Sequence, residues 1–98
     1  MSDDNQILLP ESFLALFLSP GRSKPSASHA HIMERYELCE DLASALVEQA
    51  NTRKWELGVE AEDIAERIRI GLLSGETGLN EAEAQWVTRR LTELMNGA

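Results

Sequence analysis

The glycine-rich stretches of the chain are the first residues to test for chemistry, because glycines followed by a lysine can bind phosphate. A P-loop requires the spacing Gly-x4-Gly-Lys-Ser/Thr, so that backbone amides and one lysine surround the phosphates together. Residues 21–24 read Gly-Arg-Ser-Lys, which has these residue types without the spacing. Gly71, Gly75 and Gly78 are not followed by lysine, and we expect them to end a helix. The sequence therefore predicts no P-loop and no cofactor bound through one.

A metal or thiol centre would have to use His29, His31 and Cys39, which are the only histidine or cysteine ligands in the chain. On a helix the two histidines would point about 200° apart, and a zinc site needs three or four ligands at characteristic spacing. Cys39 is followed at once by Glu40 and Asp41, which oppose formation of a thiolate. We expect no metal site and no catalytic residue, and we expect Cys39 to be a small core residue.

Composition excludes several classes of partner. The 98 residues contain 9 Lys and Arg against 17 Asp and Glu, a net charge of −8. Such a surface does not favour binding to nucleic acid or to an anionic membrane. The longest apolar run, residues 13–18, has six residues against the roughly 20 of a transmembrane helix. The acidic start does not resemble a secretory signal, and the single cysteine is typical of a reducing cytoplasm, so we expect a cytoplasmic protein.

The elements that must position any site are helices, because apolar residues recur three and four apart and no segment alternates with a period of two. We predict an all-α fold, a small helical bundle of three main helices plus a short N-terminal helix. A flexible tail at 1–6 would precede a single domain at 7–98, with a Pro/Gly/Ser strap at 19–26. The predicted helices span about 10–18, then from Ser26 or Ser28 to between Asn51 and Leu57, then 61–74, and last from Asn80 to Asn96-Gly97.

Individual residues give more specific predictions about where a helix starts, which side chains are buried and which ones pair. Asn80 and Glu83 have the spacing of a capping box at the start of the last helix. We expect Trp55 and Trp86 to be core or helix-junction residues, although a tryptophan exposed beside Phe13 and Phe17 would mark an interaction surface. We expect Arg89 and Arg90 to be surface partners of Glu93 and Glu83 rather than to contact nucleic acid.

Two surfaces are candidates for binding a partner. Helix 10–18 is apolar nearly all round, so the segment at 7–18 contacts the protein's own core, a second copy or a partner, with Phe13 and Phe17 as anchors. The longest helix has a face of like charges that is either a solvated face or a docking face, for a basic partner or for the chain's own Arg22 and Lys24. This face, together with the two cations of the strap, adds these candidate residues: Arg22, Lys24, Glu34, Glu37, Asp41 and Glu48.

Four segments resemble a family of small uncharacterised proteobacterial proteins: PESF at 10–13, PGRSKP at 20–25, RYELCEDLA at 35–43 and WVTRRL at 86–91. Some members of that family are labelled as ATPases with chaperone activity. The resemblance implies a bacterial, cytoplasmic protein without an assigned biochemical role, and it supplies no catalytic residues. Because the chain has no Walker A motif, we do not expect it to be an ATPase.

These observations favour a non-enzymatic protein–protein interaction or adaptor module. The alternative is a chaperone-like or enzyme accessory factor that binds a client or small ligand in a groove between helices, beside Tyr36, Cys39 and Trp86. We expect a protein partner, a basic one if the acidic face is the docking site, and no nucleic acid or membrane partner. Self-association stays open.

Overall fold

The computed structural model describes residues 9–18, 21 and 24–97. The helices are α1 at Glu11–Leu14, continued by a 3-10 turn at Ala15–Phe17, then α2 at His29–Leu57, α3 at Ala61–Ser74 and α4 at Glu81–Gly97. Within the described residues there is no strand, so the predicted all-α fold of three main helices and a short N-terminal one is confirmed. The predicted tail at 1–6 and Arg22 lie outside the described residues. The chain divides into two compact units between Tyr36 and Glu37.

The N-terminal unit is organised around aromatic side chains. Phe13 on α1 is completely buried, and its ring lies 5.7 Å from that of Phe17 and 5.5 Å from that of Tyr36. Phe17 in turn makes an edge contact with His31, with ring centroids 6.2 Å apart. Offset and edge-on arrangements at these distances are favoured by the ring quadrupoles. The backbone N–H of Ser26 donates to the carbonyl of Phe17 at 2.7 Å, which brings the end of the strap back to the 3-10 turn.

Helix α2 begins and ends where the sequence predicts. The backbone N–H of His31 donates to the Ser28 hydroxyl at 3.2 Å, so Ser28 is the N-cap residue. At the other end Gly58 has φ +66°, and its N–H donates to the Lys54 carbonyl at 2.9 Å. A residue other than glycine would be strained in this left-handed conformation, which ends the helix after Leu57.

Helices α3 and α4 pack against each other, and α4 has the predicted capping box. The Glu83 N–H donates to the Asn80 side-chain oxygen at 2.8 Å, and the Asn80 N–H donates to the Glu83 carboxylate at 3.1 Å. Two backbone donors at the helix start are thereby satisfied. Helix α3 ends at Ser74, where the Gly75 N–H donates to the Gly71 carbonyl at 3.0 Å.

The core of the second unit takes one central residue from each of its helices: Ala50 of α2, Ile64 of α3 and Leu91 of α4. Partly buried apolar side chains pack around them, namely Leu46, Val47, Val59, Ile68 and Met95. Cys39 is also fully buried, as predicted. None of the helices in the described ranges combines the length and apolar character that crossing a bilayer requires.

An ion pair also connects α2 and α4. The Arg90 guanidinium donates to both carboxylate oxygens of Glu40, with Nε–Oε1 at 3.0 Å and Nη2–Oε2 at 3.1 Å, and to Glu93 at 3.3 Å. The hydrogen bond to Glu40 is the main reason that the pKa of Arg90 is raised. Of the predicted pairing, the contact between Arg90 and Glu93 is confirmed, and the Glu83 carboxylate accepts the capping-box hydrogen bond from Asn80.

Candidate functional site

Trp55, in the last turn of α2, is the most exposed large apolar side chain among the described residues. Its exposed fraction is 88%, whereas that of Trp86 on α4 is 8%. The prediction of a core or junction position is therefore confirmed for Trp86 and wrong for Trp55. Trp55 follows the core residue Ala50 by five positions, which places it about 140° around the helix from the buried face.

Trp55 borders an open groove of about 440 Å³ at the end of α2. We call its lining the Trp55 surface: Asn51, Lys54, Trp55, Gly58 and Val59. One side of the groove is backed by Val59, which packs against the core of the second unit. A methyl group built on Gly58 would meet nothing within 4 Å, so this position leaves space beside the indole. Leu57, next to it in the chain, is 47% exposed.

The groups on the Trp55 surface are suited to binding. An indole offers a flat apolar face and one N–H donor, and it attracts aliphatic, aromatic or cationic groups. Asn51 adds an amide that can both donate and accept, and Lys54 adds an ammonium donor. Lys54 forms no ion pair with the described residues of the second unit. This arrangement can hold a peptide segment through apolar contact with a few orienting hydrogen bonds.

A larger groove of about 650 Å³ runs along α3 and α4. Much of its charge is already paired within the protein. Arg69 donates to both carboxylate oxygens of Glu66, at 3.0 and 2.6 Å, and lies 3.5 Å from Glu81. The hydrogen bond from Arg69 lowers the pKa of the Glu66 carboxyl. Because these charged groups already pair with one another, fewer of them are available to bind a ligand in the α3–α4 groove.

The residues predicted to bind a partner differ in how far the fold buries them. Phe13 is buried and has no surface left for an anchor, while Phe17 stays partly exposed. Lys24 is exposed, and Arg22 lies outside the described residues. The acidic residues of α2 are all exposed: Glu34, Glu37, Asp41 and Glu48. Exposure suits a solvated face and a docking face equally well.

The ligands considered for chemistry do not assemble into a centre in the described part of the chain. No group of three His, Cys, Asp or Glu side chains there could hold a metal ion. Cys39 and Trp86, beside which the client-binding alternative places its groove, are both buried. Neither side chain lines the Trp55 groove or the α3–α4 groove.

Comparison with protein-family models, with curated proteins and with solved structures found no match to this chain. The resemblance to the proteobacterial family stays a prediction.

Residue type alone predicts a core or helix-junction position for tryptophan, and for that reason the Trp55 surface is not among the predicted sites. The spacing of the apolar residues along α2 nevertheless indicates an exposed position for Trp55. The apolar stripe of α2 runs through Cys39, Ala43, Leu46 and Ala50, and the next position on it is Arg53. Trp55 lies off that stripe, so its register alone indicated an exposed side chain.

Proposed function

We propose that this protein is a non-enzymatic, cytoplasmic protein–protein interaction module whose docking site is the Trp55 surface. The observation that supports this most strongly is the 88% exposure of Trp55 in a helix whose ends are defined by caps. Tryptophan is enriched among the residues that dominate binding energy at interfaces. Its large, rigid side chain loses little conformational entropy on binding.

The energetic basis is the apolar area that Trp55 leaves in water. A fully buried aromatic side chain removes about 150–250 Å² from water, worth about 4–6 kcal/mol at 25 cal/mol/Å². Almost all of this is still available to a partner, because the fold covers so little of the side chain. The exposed part of Leu57 adds apolar area nearby in the chain.

The acidic face of α2 has a separate role in this proposal. Glu37, Asp41 and Glu48 are exposed carboxylates on the same helix as Trp55. Charges at the edge of an interface affect association rate and orientation more than final affinity. We therefore assign affinity to the Trp55 surface and partner steering to these carboxylates.

Quantitative affinity capture tests the proposal. The tagged full-length protein is compared with Trp55→Ala and with Ile70→Ala, which removes an exposed apolar side chain (56% exposed) from α3 of the same unit. Captured cytoplasmic proteins are measured by mass spectrometry. We expect Trp55→Ala to lose a specific partner that Ile70→Ala retains. Identical captured sets for wild type and Trp55→Ala would contradict the docking role.

The client-binding alternative draws support from the α3–α4 groove of about 650 Å³. An apolar client requires an apolar lining, whereas this groove includes Glu62, Glu66, Arg69 and Arg89. It is therefore the second candidate. Partner capture that is lost on changing Arg89 or Gln85 but retained in Trp55→Ala would favour it.

A further inference from the structure

A third groove, of about 180 Å³, lies between α2 and α3. Its floor is apolar and is formed by Ala50, Ile64 and Ile68, at the margin of the core of the second unit. Arg53 of α2 and Arg67 of α3 also line it, so that it has a cation from each helix. On α2, Arg53 lies about 160° around the helix axis from Trp55, which separates this groove from the Trp55 surface.

These two arginines are not neutralised within the second unit. Arg67 follows Asp63 by four positions and Arg53 precedes Glu56 by three, the spacings at which helical ion pairs form. Neither pair is made, and neither guanidinium has an ion pair with a carboxylate of residues 37–97. Arg69 and Arg90 in the same unit do form such pairs. Both guanidinium groups are therefore available to bind a carboxylate of another molecule beside the apolar floor of the groove.

We propose that the α2–α3 groove binds an acidic peptide segment of a partner protein, with one aliphatic side chain on the apolar floor and flanking carboxylates on Arg53 and Arg67. A guanidinium presents a planar fork of donors that matches a carboxylate, and an apolar floor excludes water from the contact. The inference goes beyond the proposed function, because it assigns a second docking site that is separate from the Trp55 surface. A second copy of this chain is the competing occupant, and the oligomeric state of the wild type distinguishes it from a peptide segment of another protein.

The test selects short peptides from a random library displayed on phage against the full-length protein. We expect enriched sequences in which Asp or Glu flank Leu, Ile or Val. A selected peptide is then measured by fluorescence anisotropy against wild type, Arg53→Ala, Arg67→Ala and the control Ile70→Ala. Ile70 is an exposed residue of the same unit that lines none of the three grooves. Each groove substitution should weaken binding about fivefold, and the control should change it less than about twofold.

Several results would overturn the inference. One is the enrichment of neutral or basic peptides, or of no peptide at all. Another is equal weakening of binding by the control Ile70→Ala. A peptide whose carboxylates are replaced by glutamine should bind more weakly, and equal binding would also contradict the role of the arginines. If the wild type sediments as a dimer that Arg53→Ala dissociates, the occupant is a second copy. The Trp55→Ala capture is independent of all these results, so each proposal can fail alone.

Discussion

Replacing Trp55 by alanine should leave the stability of the protein almost unchanged. With 88% of its surface exposed, only about an eighth of the side chain contacts the rest of the protein. An eighth of about 150–250 Å² corresponds to about 0.5–0.8 kcal/mol of lost burial. Alanine is also the better helix former, by about 0.5 kcal/mol, which offsets much of that loss. The expected net change in the free energy of unfolding is within about 0.5 kcal/mol.

The same substitution at Trp86 provides the matched control. Trp86 is 8% exposed, and truncating a buried tryptophan costs about 3–5 kcal/mol. For a protein of this size such a loss is a large part of the total stability. The two tryptophan-to-alanine variants should therefore differ by several kcal/mol, although they remove the same atoms.

Urea unfolding followed by far-ultraviolet circular dichroism measures both variants without depending on tryptophan signal. Acrylamide quenching of the single-tryptophan variants adds a direct reading of exposure: Trp55 in Trp86→Phe should be quenched readily, and Trp86 in Trp55→Phe should be protected. A loss of more than about 2 kcal/mol for Trp55→Ala would refute the reasoning, because it would mean that the side chain is packed.

Three further predictions concern polar contacts of the second unit. A double-mutant cycle on Glu40 and Arg90, measured by urea unfolding, should give a coupling free energy of about 1 kcal/mol, because the ion pair is bidentate and partly buried. A coupling free energy near zero would contradict that geometry. Asn80→Ala should lose about 1 kcal/mol of stability, whereas Asn80→Ser should retain nearly all of it, and equal losses would argue against capping. The pKa of Glu66 is lowered, so its small stabilising contribution is present above the unfolded-state pKa and is lost as the pH falls through the folded-state pKa. In an NMR titration Arg69→Ala should raise the Glu66 midpoint, and an unchanged midpoint would exclude Arg69 as the cause.

Local chemistry made much of the fold predictable. The limits of α3 and the start of α4 depend on glycines and on the Asn80–Glu83 pair, and such signals act within a few residues. The burial of Cys39 followed from its place in a regular apolar stripe. Periodicity and caps are properties of a single helix, so the sequence is sufficient to identify them.

The candidate sites depend on information that is not local. Phe13 was expected to be an anchor, but its exposure depends on packing against Tyr36, which is distant in the chain. Arg53 and Arg67 line one groove only because α2 and α3 lie side by side, and no spacing in the sequence indicates that. Trp55 is different, since its register already placed it away from the apolar stripe. There the preference of tryptophan for buried sites was given more weight than position.

Site-specific photo-crosslinking tests the central claim most directly. A photoreactive phenylalanine analogue is placed at position 55 or, as a control, at position 70, in the full chain expressed in its native cells. If the Trp55 surface is the docking site, irradiation gives a discrete covalent adduct with another protein from position 55 and none of the same mass from position 70. Absence of an adduct at position 55, or the same adduct from both positions, would contradict the assignment.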